Sequence, residues 1–125
     1  IAQSYTALTS GRAAAGETVY YKNIGISRIL IALYDTPALE QFYNDMTQPI
    51  LQSDADNKGQ LFDTLLTFAR LNMDYKKTAA AMYVHENTVR YRINKLKELI
   101  PYGSSEVDFQ DTLSITYKIY LMQNF

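Results

Sequence analysis

The chain contains no cysteine, so neither a disulfide nor a thiolate metal site can form in it. A reducing compartment, the cytoplasm, is the natural default. It has no long apolar run either: the longest, Ile29–Tyr34, is far too short to cross a bilayer. No signal-peptide pattern opens it, and no membrane association is expected. Histidine occurs once. With that, no Gly-rich phosphate loop and no acid pair in motif context, nothing supports catalysis, and no cofactor or metal is expected. Acidic excess is slight, at a net charge of −1, and on its face it argues against nucleic acid. What remains is one domain's worth of ordinary globular composition, 125 residues with 47% apolar and 20% charged. The chain starts without Met, amid helical sequence, which reads as a C-terminal piece of a longer protein.

The distribution of charge reverses the impression given by its sum. Between Tyr75 and Lys97 lie six cations, Lys76, Lys77, Arg90, Arg92, Lys95 and Lys97, against the single acid Glu86. That is +5 on a short segment of a −1 chain, which leaves −6 for the rest. A basic face on an acidic body concentrates attraction for a polyanion on one surface and limits indiscriminate sticking.

The same segment, Tyr75–Asn94, has the spacing of a helix-turn-helix. Counting from Tyr75, Ala79 falls fifth, where two helices touch and only a small side chain fits. Met82, Val84, Val89 and Ile93 fall at inward positions. In a helix beginning near Glu86, residues Val89, Ile93 and Leu96 share an apolar face. Opposite them stand Glu86, Asn87, Arg90, Tyr91 and Asn94, with Thr88, Arg92, Lys95 and Lys97 on the flanks. Asn suits adenine, Arg suits guanine, and a Thr methyl or aromatic ring suits the thymine methyl. Lys76, Lys77 and the flanking lysines suit phosphate. His85, at the turn, suits a phosphate or a base. Structural alternatives stand beside these roles. His85 can belong to the turn alone, Asn87 and Thr88 can cap the helix, and Tyr91 can pack against the closing helix.

Elsewhere the pattern predicts an all-α helical bundle. Residues 2–14 read as the end of a helix and Thr18–Tyr21 as a short strand. Apolar residues at 26, 29, 30 and 33 give a helical stripe over Ile24–Tyr34. Thr36-Pro37 opens a helix that Pro49 breaks or kinks. Residues 53–59 read as a dividing loop. Beyond it come an amphipathic helix from Leu61 to about Asn72, a short helix Tyr75–Met82 capped by Asp74, a longer one Glu86–Leu99, and a closing helix Asp108–Met122. The division expected is 1–23 as linker or tail of a preceding domain, 24–57 as linking helices, and 58–125 as the DNA-binding domain.

The run Tyr83-Val84-His85-Glu86-Asn87-Thr88-Val89-Arg90-Tyr91-Arg92-Ile93 resembles the signature of the PucR/CdaR family of bacterial transcriptional regulators, which typically reads Val-His-Arg-Asn-Thr-Val-Arg-Tyr-Arg-Leu. Leu61-Phe62-Asp63-Thr64-Leu65 is similar to that family's preceding helix. Val19 to Leu30 resembles its link from a degenerate GGDEF-like domain. The helix pair resembles the Fis-type motif more distantly. The resemblance implies a transcription factor tied to purine, sugar-diacid or amino-acid catabolism, with a small-molecule effector sensed only by a region ahead of this chain. It implies double-stranded DNA as partner and His85, Asn87, Thr88, Arg90, Tyr91 and Arg92 as the DNA-facing signature. A single module reads only a few base pairs, so a homodimer is expected. Glu86 departs from the family's usual Arg, which bears on which operator is read. The stretch after Leu99 lacks the usual Gly-Asp-rich turn, which implies a differently placed closing helix. A different class also fits: a dimerisation or protein-docking domain with a silent motif, using aromatics such as Tyr20, Tyr21, Tyr34, Phe42 and Tyr43.

Overall fold

The computed structural model describes residues 25–101 and 105–124, and among them every regular element is a helix. The expected all-α class holds. In chain order the helices are α1 (Gly25–Ala32), α2 (Pro37–Asn57), α3 (Leu61–Arg70), α4 (Tyr75–Met82), α5 (Glu86–Leu99) and α6 (Glu106–Gln123). The helix over 2–14 and the strand at Thr18–Tyr21 lie outside the described residues.

Contacts group the chain into two compact units, one comprising Tyr43–Tyr117 and the other, in its described part, 25–42 and 118–124. In the smaller unit the stripe read from α1 is only partly buried. Leu30 is inside, whereas Ile26, Ile29 and Leu33 are exposed, Ile29 at 59%. Thr36 opens α2 as its spacing predicts: its Oγ1 accepts from the Leu39 amide at 3.3 Å.

Helix α2 departs most from expectation. It does not stop at Pro49 but continues to Asn57, through most of the residues read as a loop. An interior proline removes one backbone hydrogen bond and costs about 3 kcal/mol. Met46 and Ile50, on either side of it, are fully buried, and Thr47 nearly so. Burying two such apolar side chains is worth roughly 1.5–3 kcal/mol each, enough to offset the proline. Past it, helical spacing brings the polar residues together. Gln52 Nε2 donates to Asp56 Oδ1 at 3.1 Å, and Asn57 Nδ2 donates to the Ser53 carbonyl at 3.1 Å. Lys58, in the left-handed conformation at φ 50°, ends the helix.

The core of the larger unit is built on α3, α4 and α5, which pack against one another pairwise. Leu61, Leu65 and Phe68 of α3, Ala79 of α4, and Val89, Ile93 and Leu96 of α5 are all buried, as are Phe109 and Leu113 of α6. The α3–α4 corner turns through two consecutive left-handed residues, Asn72 (φ 59°) and Met73 (φ 63°). The Met73 amide donates back to the Phe68 carbonyl at 2.8 Å. Helix α6 starts two residues earlier than its apolar pattern suggests, because Ser105 caps it, Oγ accepting from the Asp108 amide at 3.1 Å.

Candidate nucleic-acid interface

Asp74 fixes the start of α4. It has an extended backbone, and its carboxylate accepts from the Lys77 amide at 2.8 Å, supplying one of the acceptors that a helix start lacks. Lys76 and Lys77 follow in the first turn, both exposed. Within the next turn, buried Ala79 lies where α4 meets α5. The chain leaves α4 through Tyr83, which adopts φ 59° and ψ 42°. That left-handed residue lets the Val84 amide reach the Ala79 carbonyl at 3.0 Å, closing the turn tightly. Tyr83 is 95% exposed.

His85 is the cap of α5, with its carbonyl accepting from the Thr88 amide at 3.0 Å, while its side chain makes no capping bond. The imidazole is exposed and takes no part in holding the turn. Asn87 and Thr88 stand inside the first turn rather than at the cap, so capping does not account for them. The two faces of α5 are as the spacing predicts. Val89, Ile93 and Leu96 are fully buried. Asn87, Arg90, Tyr91, Asn94 and Lys95 are exposed, with Glu86, Thr88 and Arg92 half-buried beside them. Tyr91, at 62% exposure, is not packed away.

Neighbouring helices hold two of these side chains, and a third is held within α5. Arg90 donates from Nε at 3.1 Å and from Nη2 at 2.6 Å to one oxygen of Glu86, and its guanidinium lies 4.2 Å over the ring of Tyr75 on α4. An exposed pair of this spacing adds only ~0.3–0.5 kcal/mol to a helix. Its effect is on direction more than on stability. Arg92 Nη1 donates to Thr64 Oγ1 of α3 at 3.3 Å, and Lys95 Nζ lies 6.0 Å from the Tyr91 ring. Tyr91, Arg92 and Lys95 also line a cleft of about 350 Å³ whose other wall is the α2–α3 junction, with Asp54, Lys58 and Gln60.

Lys97 belongs elsewhere. Its ammonium meets Glu106 of α6 at 2.9 Å and lies 5.3 Å from the Phe109 ring. That hydrogen bond raises the Lys97 pKa and lowers that of Glu106. Three contributors escaped the sequence reading: Tyr75 under Arg90, Thr64 beside Arg92, and Asp54. Asp54 Oδ1 and Oδ2 accept from the Leu61 and Phe62 amides at 2.8 and 3.0 Å and so cap α3 from the end of α2. Only the aromatic at the first position of α4 carried a signal that could have found one of them.

Among the described residues no group of His, Cys, Asp and Glu is arranged to hold a metal ion, and no helix is long and apolar enough to cross a membrane.

The PucR C-terminal helix-turn-helix domain family matches residues 61–116, from the start of α3 into α6. Among curated proteins, a purine catabolism regulatory protein of Bacillus subtilis is 31% identical over 86 residues, 69% of this chain and 16% of that protein. A carbohydrate diacid regulator of Escherichia coli is 34% identical over 71 residues, 56% of this chain and 18% of its own length. An uncharacterised protein of Haemophilus influenzae is 30% identical over 70 residues, 56% of this chain and 19% of its own. The chain thus matches less than a fifth of the length of each of these relatives. No solved structure matches significantly.

Proposed function

Because residues 61–116 belong to the PucR C-terminal helix-turn-helix family, we propose that this chain is the sequence-specific DNA-binding part of a bacterial transcriptional regulator. The observation that carries the reading is the two-faced α5, with Val89, Ile93 and Leu96 fully buried behind exposed Asn87, Arg90, Tyr91 and Asn94. In this reading α5 enters the major groove of double-stranded DNA. Asn87, Arg90, Tyr91 and Asn94 address base edges with Thr88 beside them, and Glu86 stands at the same surface. Lys76, Lys77, His85, Arg92 and Lys95 meet phosphate and fix the register. Residues 58–125 form the binding domain, 24–57 the linking helices, and 1–23 the join to what precedes. The regulator works in the cytoplasm as a homodimer. A small-molecule effector, of the purine or sugar-diacid class that the named relatives suggest, acts through sequence outside this chain.

The test is binding to duplexes selected from a random pool. Affinity should fall with salt, with a log–log slope of magnitude ~0.9 per phosphate neutralised. Arg90→Ala should cost about 1–3 kcal/mol and relax preference at one base, while Lys76→Ala should weaken all duplexes alike. Salt-independent binding, or full specificity in the Arg90→Ala, Asn87→Ala double variant, would sink the reading. The exposed apolar residues Ile26, Ile29 and Leu33 of α1 favour a second one, a dimerisation or protein-docking domain with a silent motif. A chain of that kind would associate yet retard no duplex from the pool.

A further inference from the structure

The guanidinium of Arg90 presents two hydrogen-bonding edges, a side edge of Nε and Nη2 and an end edge of Nη1 and Nη2. Glu86 occupies the side edge, with both of its donors bonded to Oε2 at 3.1 and 2.6 Å. The plane rests on Tyr75, 4.2 Å from the ring centroid. Tyr75 is in turn held by Phe68, ring centroids 5.0 Å apart, and Phe68 is buried in the core. A chain of contacts therefore runs from the interior to an exposed cation. It restricts the torsional freedom that a long side chain otherwise loses on binding. The end edge is the one left over, and it is the edge whose parallel N–H groups match O6 and N7 of guanine.

From this we infer that Glu86 is a positioning and specificity-determining residue: with Tyr75 it presents the end edge of Arg90 to a guanine and makes no base contact of its own. The inference rests on α5 being the helix that reads DNA. A carboxylate on a polyanion-binding face repels phosphate, so it lowers affinity for DNA in general. What it adds is discrimination, because an Arg90 without its partner can swing to the nearest phosphate. Losing Glu86 should therefore move affinity and specificity in opposite directions, which simple loss of structure does not do.

The experiment uses the full chain, as wild type, Glu86→Ala, Glu86→Gln and Arg90→Ala, against a selected operator and an unrelated duplex. The guanine of interest is the position where Arg90→Ala erases preference, and it is replaced by 7-deazaguanine. Wild type should lose about tenfold in affinity on that replacement. Glu86→Ala should lose less than about threefold, bind the unrelated duplex more tightly than wild type, and melt as wild type does; Glu86→Gln should fall between. The inference is overturned if Glu86→Ala keeps the tenfold loss, if it weakens both duplexes equally, or if Arg90→Ala erases preference at no position. A wild type that distinguishes no duplex from any other would remove the DNA-reading premise itself, a separate failure from these.

Discussion

At the scale of single residues, the motif is held together by groups that do not touch one another in sequence. Arg90 leans on Tyr75 and Arg92 on Thr64. One buried group is left unsatisfied: among the described residues Thr78 Oγ1 is fully enclosed with no hydrogen-bond partner. A buried hydroxyl without a partner costs about 1–3 kcal/mol, and valine has the same branched shape without the oxygen. Thr78→Val is therefore expected to stabilise the chain by about 1 kcal/mol, seen as a higher denaturant midpoint at unchanged slope. A lower midpoint would mean that Oγ1 meets a partner, such as a buried water.

At the scale of elements, long-range caps decide where helices start. Asp54 lies seven residues before Leu61, and Gly59 leaves it room: a Cβ there would come within 3.0 Å of the carboxylate. Asp54→Ala removes both acceptors from the α3 start and should cost about 1–2 kcal/mol, measured by thermal or denaturant unfolding. An unchanged stability would show that water serves those amides equally well. The α5–α6 corner depends on pH instead. The Lys97 bond holds the Glu106 carboxyl below its ordinary pKa, so its contribution is present at neutral pH and lost as acid protonates it. The same bond lifts Lys97 above its ordinary 10.5, so that part is lost only in strong alkali. Both partners are solvent-exposed, which keeps the pair below about 1 kcal/mol. Wild type and Glu106→Gln should differ in midpoint at neutral pH and converge in acid. A constant difference would rule the linkage out.

These elements also show why some of the fold was legible in sequence and some was not. The bounds of α4 and α5 follow from spacing, because a small residue at 79 and apolar residues at 89, 93 and 96 leave one packing solution. The end of α2 did not follow. Ser53, Asp54, Asp56 and Asn57 have the composition of a loop, and the reasons they form a helix are tertiary: buried Met46 and Ile50 across Pro49, and Asp54 reaching α3. The exposed face of α5 was read correctly from periodicity, yet periodicity carries no information on Tyr75 or Thr64, which come from other helices.

For the whole molecule, the proposed homodimer has a direct experimental consequence. Two copies placing α5 in successive major grooves would set their recognition helices about 34 Å apart, one duplex turn. Sequences selected by the full-length protein should then contain paired half-sites about 10–10.5 base pairs apart, centre to centre, or a multiple of that. Single, unpaired sites bound with full affinity would instead point to a monomer.

The contact from Tyr75 to Arg90 has a further bearing on how the proposed specificity could be moved. Transplanting the fourteen residues of α5 into another scaffold would leave Arg90 without its aromatic support and Arg92 without Thr64. Under the proposed reading of DNA by α5, the portable unit of recognition is α3 to α5 together, residues 61–99. An engineer who wants a new target would have to redesign all three helices as one block.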